Sequence, residues 1–206
     1  MSSQDGRYHH GDLRAALLTE AAAMIAEGGA ASLTLRGIAR RLGVSRAAPY
    51  RHFPDKSALL VGVASAGFAR LGERLQSIEA GAPRSSVERF RRMGEEYVRF
   101  ALENPAHYRL MYGKEALTRE DIPELHASAD ALLAQLVDVI KAQQRSGGIK
   151  RQDPRTQAYI AWSTVHGLAS LLIEGQIQPA GEVDDLIRKT TRTLLDGMRV
   201  RRRPAP

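Results

Sequence analysis

The chain has 206 residues, 43% of them hydrophobic and 26% charged, with 30 lysines and arginines against 23 acids. That is an ordinary globular composition, long enough for one large domain or two small ones. The absence of cysteine excludes a disulfide framework, a thiol nucleophile and any cysteine-ligated metal centre, while the net charge of +7 favours an anionic partner.

The charge is unevenly placed. Residues 1–71 carry 9 basic and 5 acidic side chains, residues 72–198 carry 17 and 18, and residues 199–206 carry four arginines and no acid. This pattern suggests a basic module, a nearly neutral module and a basic tail over 201–206. The tail is read as a solubility feature. No apolar run approaches the ~18 residues that span a bilayer. The polar start, Met1 to Arg7, lacks the apolar centre of a secretion signal. The cytoplasm is the expected location, without a membrane partner.

In chain order, Leu13, Leu17, Ala21, Met24 and Ile25 follow helical spacing, and Gly28-Gly29 ends that helix. Leu35, Ile38, Ala39 and Leu42 form one face of a short second helix. A connector helix is predicted over about 55–80, with Leu60, Val63, Gly67, Leu71, Leu75 and Ile78 in register, before the break Gly81-Ala82-Pro83. Ser85 and Glu88 have capping-box spacing for a helix running to about Glu103. Asn104-Pro105 and Asp153-Pro154 each pair a capping side chain with a first-turn proline, and Gly147-Gly148 is a stop. Gly94, Asn104-Pro105 and the stretch from Tyr112 to Pro123 are expected to interrupt the helices. The last two helices are predicted at about Pro154–Gly175 and Val183–Arg199, joined by the loop Gln178 to Gly181. No strand is indicated. The expected fold is all-α, with about nine helices.

The chemistry concentrates between Thr34 and Lys56. After the second helix comes Gly43, where a left-handed turn suits only glycine cheaply. Val44 can plug the turn, and Ser45 can cap a short third helix. This is a helix-turn-helix pattern. It carries six basic residues and one acid, Asp55. An arginine such as Arg46 can reach guanine O6 and N7 in the major groove, and small residues such as Ala47 and Ala48 allow close approach. Tyr50, Arg51, His52 and Lys56 offer donors suited to this face, with Tyr50, His52 and Lys56 placed for phosphate oxygens. A solvated basic face on a structural helix pair is the plainer alternative, and the glycine turn, plug and cap together weigh against it.

The residues Leu33-Thr34-Leu35-Arg36, Ile38-Ala39, Gly43-Val44-Ser45, Tyr50-Arg51-His52-Phe53 and Asp55-Lys56 resemble the N-terminal domain of the TetR family of transcriptional regulators. The resemblance covers about 10–71, with the helix-turn-helix at about 34–53. It implies a homodimer with a ligand-binding and dimerisation domain over about 72–200. It implies a repressor released from a palindromic operator on double-stranded DNA by a small effector. By position it puts Thr34, Arg36, Ser45, Arg46, Ala47, Ala48, Tyr50, Arg51, His52 and Lys56 at the DNA. Two residues depart from the commonest pattern. Gly37 replaces an acid, so the Thr34 cap lacks its reciprocal arm. Pro49 replaces a leucine, and its missing N–H falls in the first turn, so a third helix is still expected.

Trp162-Ser-Thr-Val-His166-Gly167 is similar to the Trp-x-x-x-His-Gly signature of one C-terminal subtype of that family. Trp162 and His166 share a helix face, where they are read first as packing residues and second as ligand contacts. Candidate lining residues for a small, mostly apolar effector are Tyr97, Phe100, Ala101, Tyr108, Met111, Leu136, Ile140, Trp162 and His166. An enzyme is not expected. The six histidines show no HExxH spacing, and neither a nucleophile elbow nor a phosphate-binding glycine loop is present. No cofactor and no metal are expected, and His9-His10 with Asp12 is read as a polar arm. A non-specific nucleic-acid coat and a dimerising scaffold are the rival readings.

Overall fold

The computed structural model describes residues 13–80, 87–113 and 122–200. Ser85 of the predicted capping box, the break Gly81-Ala82-Pro83, the His9-His10 arm and the tail 201–206 lie outside the described residues. Eight α-helices are present among those described: α1 (Leu13–Ser32), α2 (Leu35–Arg41), α3 (Lys56–Ala80), α4 (Val87–Glu103), α5 (Pro105–Tyr112), α6 (Pro123–Arg145), α7 (Pro154–Ile173) and α8 (Val183–Met198). A 3₁₀ turn at Pro49–Arg51 makes the ninth helical element. Among the described residues the only strand-like feature is a single bridge between Ile149 and Arg199. The all-α expectation holds.

The chain divides into two compact units. The first takes the described residues up to Gly67 together with those of Ala106–Leu125, and the second takes the remainder. The division falls inside α3, and most of α5 groups with the N-terminal residues.

The core of the first unit contains Leu17, Leu33, Ile38, Leu59 and Val63, each at most 1% exposed. Each such side chain removed from water contributes about 1.5–3 kcal/mol before chain entropy is counted. α1 breaks at Gly29, which has φ 73°, and a last turn continues to Ser32. At the start of α3 the Asp55 carboxylate accepts the Ala58 N–H at 2.8 Å. Gly67 lies under α5, where a Cβ would come 3.0 Å from that of His107.

In the second unit α4 packs against both α7 and α8. Gly94 does not interrupt its helix as expected. α4 runs unbroken through it, and a Cβ there would meet Thr191 Cγ2 at 3.2 Å and Val165 Cγ1 at 3.4 Å. The glycine is a point of close approach between three helices. Asn104 Nδ2 donates to the Phe100 carbonyl at 2.9 Å, closing the end of α4. Asp153 caps α7 as predicted, accepting the Thr156 N–H at 2.6 Å. The loop after α6 is tied to the end of α8. Lys150 N–H donates to the Met198 carbonyl at 2.9 Å, and its Nζ donates to the Gly197 carbonyl at 2.8 Å.

Candidate nucleic-acid interface

The site starts from the cap of α2. Thr34 is extended, and its Oγ1 accepts the Gly37 N–H at 3.0 Å. Such a cap is worth about 1 kcal/mol. It sets Leu35, Ile38 and Ala39 into the core and leaves Arg36 exposed. Gly43 takes φ 66°, and the Val44 N–H returns to the Ala39 carbonyl at 3.0 Å. The chain thereby reverses as the glycine predicts.

The element that follows differs from expectation. Residues 46–48 form a turn and Pro49–Arg51 a single 3₁₀ turn, instead of an α-helix capped by Ser45. Bonds run from Ala48 N–H to Ser45 O at 3.0 Å, from Arg51 N–H to Ala48 O at 3.2 Å and from His52 N–H to Pro49 O at 3.0 Å. These are i to i+3 spacings. Pro49 supplies no N–H, so the α-type bond to Ser45 cannot form and the tighter pattern takes over. No side chain caps the 3₁₀ turn. Pro49 and Phe53 are buried and anchor the turn, which packs against α2.

The consequence is an exposed cationic ridge. Ser45, Arg46, Ala47, Tyr50, Arg51 and His52 are exposed, and Ala48 is half-buried. Tyr50 is 47% exposed, the ring standing out from the turn. Among the described residues no carboxylate pairs with Arg36, Arg46 or Arg51. The one nearby acid, Asp55, is occupied at the start of α3. Lys56 is half-buried, and its Nζ donates to the Ala31 carbonyl at 3.1 Å, at the end of α1. That bond uses one of three ammonium donors. Every predicted DNA-contacting residue therefore lies in the first unit, on α2, the turn that follows, or the start of α3.

The predicted effector residues are divided. Tyr108 and Met111 are buried in the first unit, whereas Tyr97, Phe100, Leu136, Ile140, Trp162 and His166 belong to the second. Three of the latter meet. Trp162 Nε1–H donates to the Tyr97 hydroxyl oxygen at 3.1 Å, and that hydroxyl shares a 2.9 Å hydrogen bond with His166 Nδ1. The indole and imidazole stand edge to face at 5.7 Å. Phe100 lies under the Arg74 guanidinium at 5.9 Å, and Ile140 is fully buried. A groove of about 680 Å³ opens elsewhere in the second unit, between α7 and α8, lined in part by Ile160, Thr164, Leu186, Thr190 and Leu194. None of the predicted effector residues lines it. Thr164 of α7 faces Thr190 and Thr193 of α8 across it.

Known proteins share both parts of the chain. Residues 17–63 match the family described as "Bacterial regulatory proteins, tetR family", and residues 90–194 match "Tetracyclin repressor-like, C-terminal domain". A solved structure of a protein of unknown function from Rhodococcus sp. RHA1 is 31% identical, with a TM-score of 0.78 over 94% of this chain and 99% of that one. A TetR/AcrR-family transcriptional regulator from Thermobifida fusca is 25% identical, with a TM-score of 0.71 over 92% of this chain and 100% of that one. The nucleoid occlusion factor SlmA of Vibrio vulnificus is 30% identical over 114 residues, so the match spans 53% of this chain and 58% of that relative. Among the described residues no helix is long and apolar enough to cross a membrane. With a capped helix and glycine turn presenting exposed arginines, and with both of its regions matching, the chain belongs to the TetR family of DNA-binding transcriptional regulators.

Proposed function

We propose that the protein is a homodimeric, cytoplasmic repressor that leaves a palindromic operator when a small, mostly apolar effector binds. The observation that carries this reading is the exposed, acid-free ridge from Arg46 to His52, set by Gly43 and Pro49 on a compact unit. Arg46 is the base-reading residue, with Ala47 and Ala48 allowing close approach. Thr34, Arg36, Ser45, Tyr50, Arg51, His52 and the remaining donors of Lys56 serve the backbone and register. Two copies related by a two-fold axis require a palindrome, with half-sites about one helical turn apart or a multiple of it.

The dimer face is assigned to α7 and α8. Ile160 is 53% exposed and Leu171 44%, and a Cβ at Gly167 or Gly197 would have nothing within 4 Å. Small residues beside exposed apolar ones suit close packing of helices from a second copy. The effector contacts are assigned to the Tyr97, Trp162 and His166 cluster, which also carries the Trp-x-x-x-His-Gly subtype. Using each group once, the indole donates to the hydroxyl and the hydroxyl to Nδ1.

Selection of bound fragments from genomic DNA, followed by titration with the recovered site, tests the reading. Parent protein is expected to protect one pseudo-palindromic site with resistance to random competitor. Arg46→Ala is expected to lose about 1–3 kcal/mol at that site and to relax preference at one base per half-site. Equal affinity for all sequences would overturn the specific-regulator reading.

A further inference from the structure

The first unit sorts its arginines into two kinds. Arg41 is engaged by carboxylates on all three of its nitrogens. Its NH1 and NH2 donate to the two carboxylate oxygens of Glu27 at 2.7 and 2.9 Å, and its Nε pairs with Glu20 at 2.5 Å. The hydrogen bond from Arg41 holds the Glu27 carboxyl below its usual range, and the reciprocal bond raises Arg41. A guanidinium met on three nitrogens has no fork left for a phosphate.

Arg14 is the opposite case. It stands exposed in the first turn of α1, and its guanidinium carbon lies 5.3 Å from the centroid of the Phe53 ring. No carboxylate among the described residues pairs with it. Phe53 is 3% exposed, and its N–H donates to the Pro49 carbonyl at 2.9 Å. A Cβ at Gly62 would come within 2.9 Å of that ring and within 2.8 Å of Leu18. The ring is therefore fixed between α1, α3 and the 3₁₀ turn. A cation seated on a ring face is held in direction while its N–H groups stay available for an anion. This places a positioned arginine on a ring that directly follows exposed Arg51 and His52 in the chain, although 39 residues separate it from that ring.

We propose that Arg14 is a further phosphate-contacting residue, seated by Phe53 at the edge of the reading turn, and that Arg41 makes no contact with DNA. The proposal rests on the DNA-binding reading above. The two charges make opposite predictions for salt dependence, because each phosphate contact adds about 0.9 to the slope of log K against log salt.

The probe is a random-sequence duplex of about 30 base pairs, titrated by fluorescence anisotropy across salt concentrations on either side of about 0.1 M. Arg14→Met keeps the apolar stem over Phe53 and removes the charge. It is expected to weaken binding several-fold, to lower the slope by about 0.9 per head, and to leave the melting temperature near that of the parent. Arg14→Lys is expected to restore the slope. Arg41→Met is expected to lower the melting temperature and leave the slope unchanged. An unchanged slope in Arg14→Met, or an equal loss of slope in Arg41→Met, would overturn the proposal. If the parent binds and Arg46→Ala weakens it while Arg14→Met does not, this proposal alone falls. If the parent fails to bind the duplex even at low salt, the DNA-binding reading falls with it.

Discussion

Glu88 in the first turn of α4 receives Arg91 Nε–H at 2.9 Å and Arg92 Nε–H at 3.2 Å. The Arg91 hydrogen bond, foremost, holds its carboxyl at about 2 against an ordinary 4.5. A folded value below the unfolded one means that the unfolded chain binds the proton first as pH falls. The stabilisation is therefore complete above pH 4.5 and disappears towards pH 2. Because Glu88 is well hydrated, salt weakens the effect. Melting curves across that window are expected to fall more steeply for the parent than for Glu88→Gln, and the two curves are expected to converge at the acid end. Parallel curves would remove Glu88 from the acid response. The neighbouring Arg91 also pairs with Glu95, which is 5% exposed. That carboxylate is further linked to Arg99 at 3.6 Å.

Single elements divide by how local their causes are. The cap of α2 at Thr34, the reversal at Gly43 and the cap of α7 at Asp153 depend on residues at most five positions apart. Each was legible in the sequence. The turn after Gly43 was misread because Pro49 was weighed for the bond it lacks in an α-helix. Its effect is to select i to i+3 bonds from Ser45 to Arg51, with an i to i+4 bond returning only at Phe53. Gly94 was misread as a break because its cause lies about 70 and 100 residues away, in Val165 and Thr191. The seat of Arg14 on Phe53 and the bond from Lys56 to Ala31 are likewise tertiary and leave no periodic trace. Gly94→Val is expected to cost about 1–3 kcal/mol by overpacking. That corresponds to roughly 2–10 °C in melting temperature for a chain of this size, readable by calorimetry. A neutral result would mean that α4 can slide away from α7 and α8.

For the whole molecule, the proposed homodimer makes affinity depend on two heads acting together. Ile160 is 53% exposed at the groove between α7 and α8. Placing a carboxylate there is expected to raise the dimer dissociation constant by at least about tenfold. Ile160→Glu should therefore sediment as a lighter species at low concentration. It should lose far more affinity for a two-half-site operator than for a half-site, because the second contact is no longer intramolecular. Equal sedimentation of the two proteins would move the dimer face elsewhere.

The bridge between Ile149 and Arg199 closes the second unit's chain on itself. The end of α8 is fastened to a segment some 50 residues earlier by a backbone bond and by the Lys150 ammonium on the Gly197 carbonyl. The last helix therefore behaves less like a free end than like the strand of a knot drawn tight by its neighbour. A protease nick at Gly147-Gly148 would loosen the C-terminal turn of α8, and a chain cut short before Arg199 would in turn unfasten the loop.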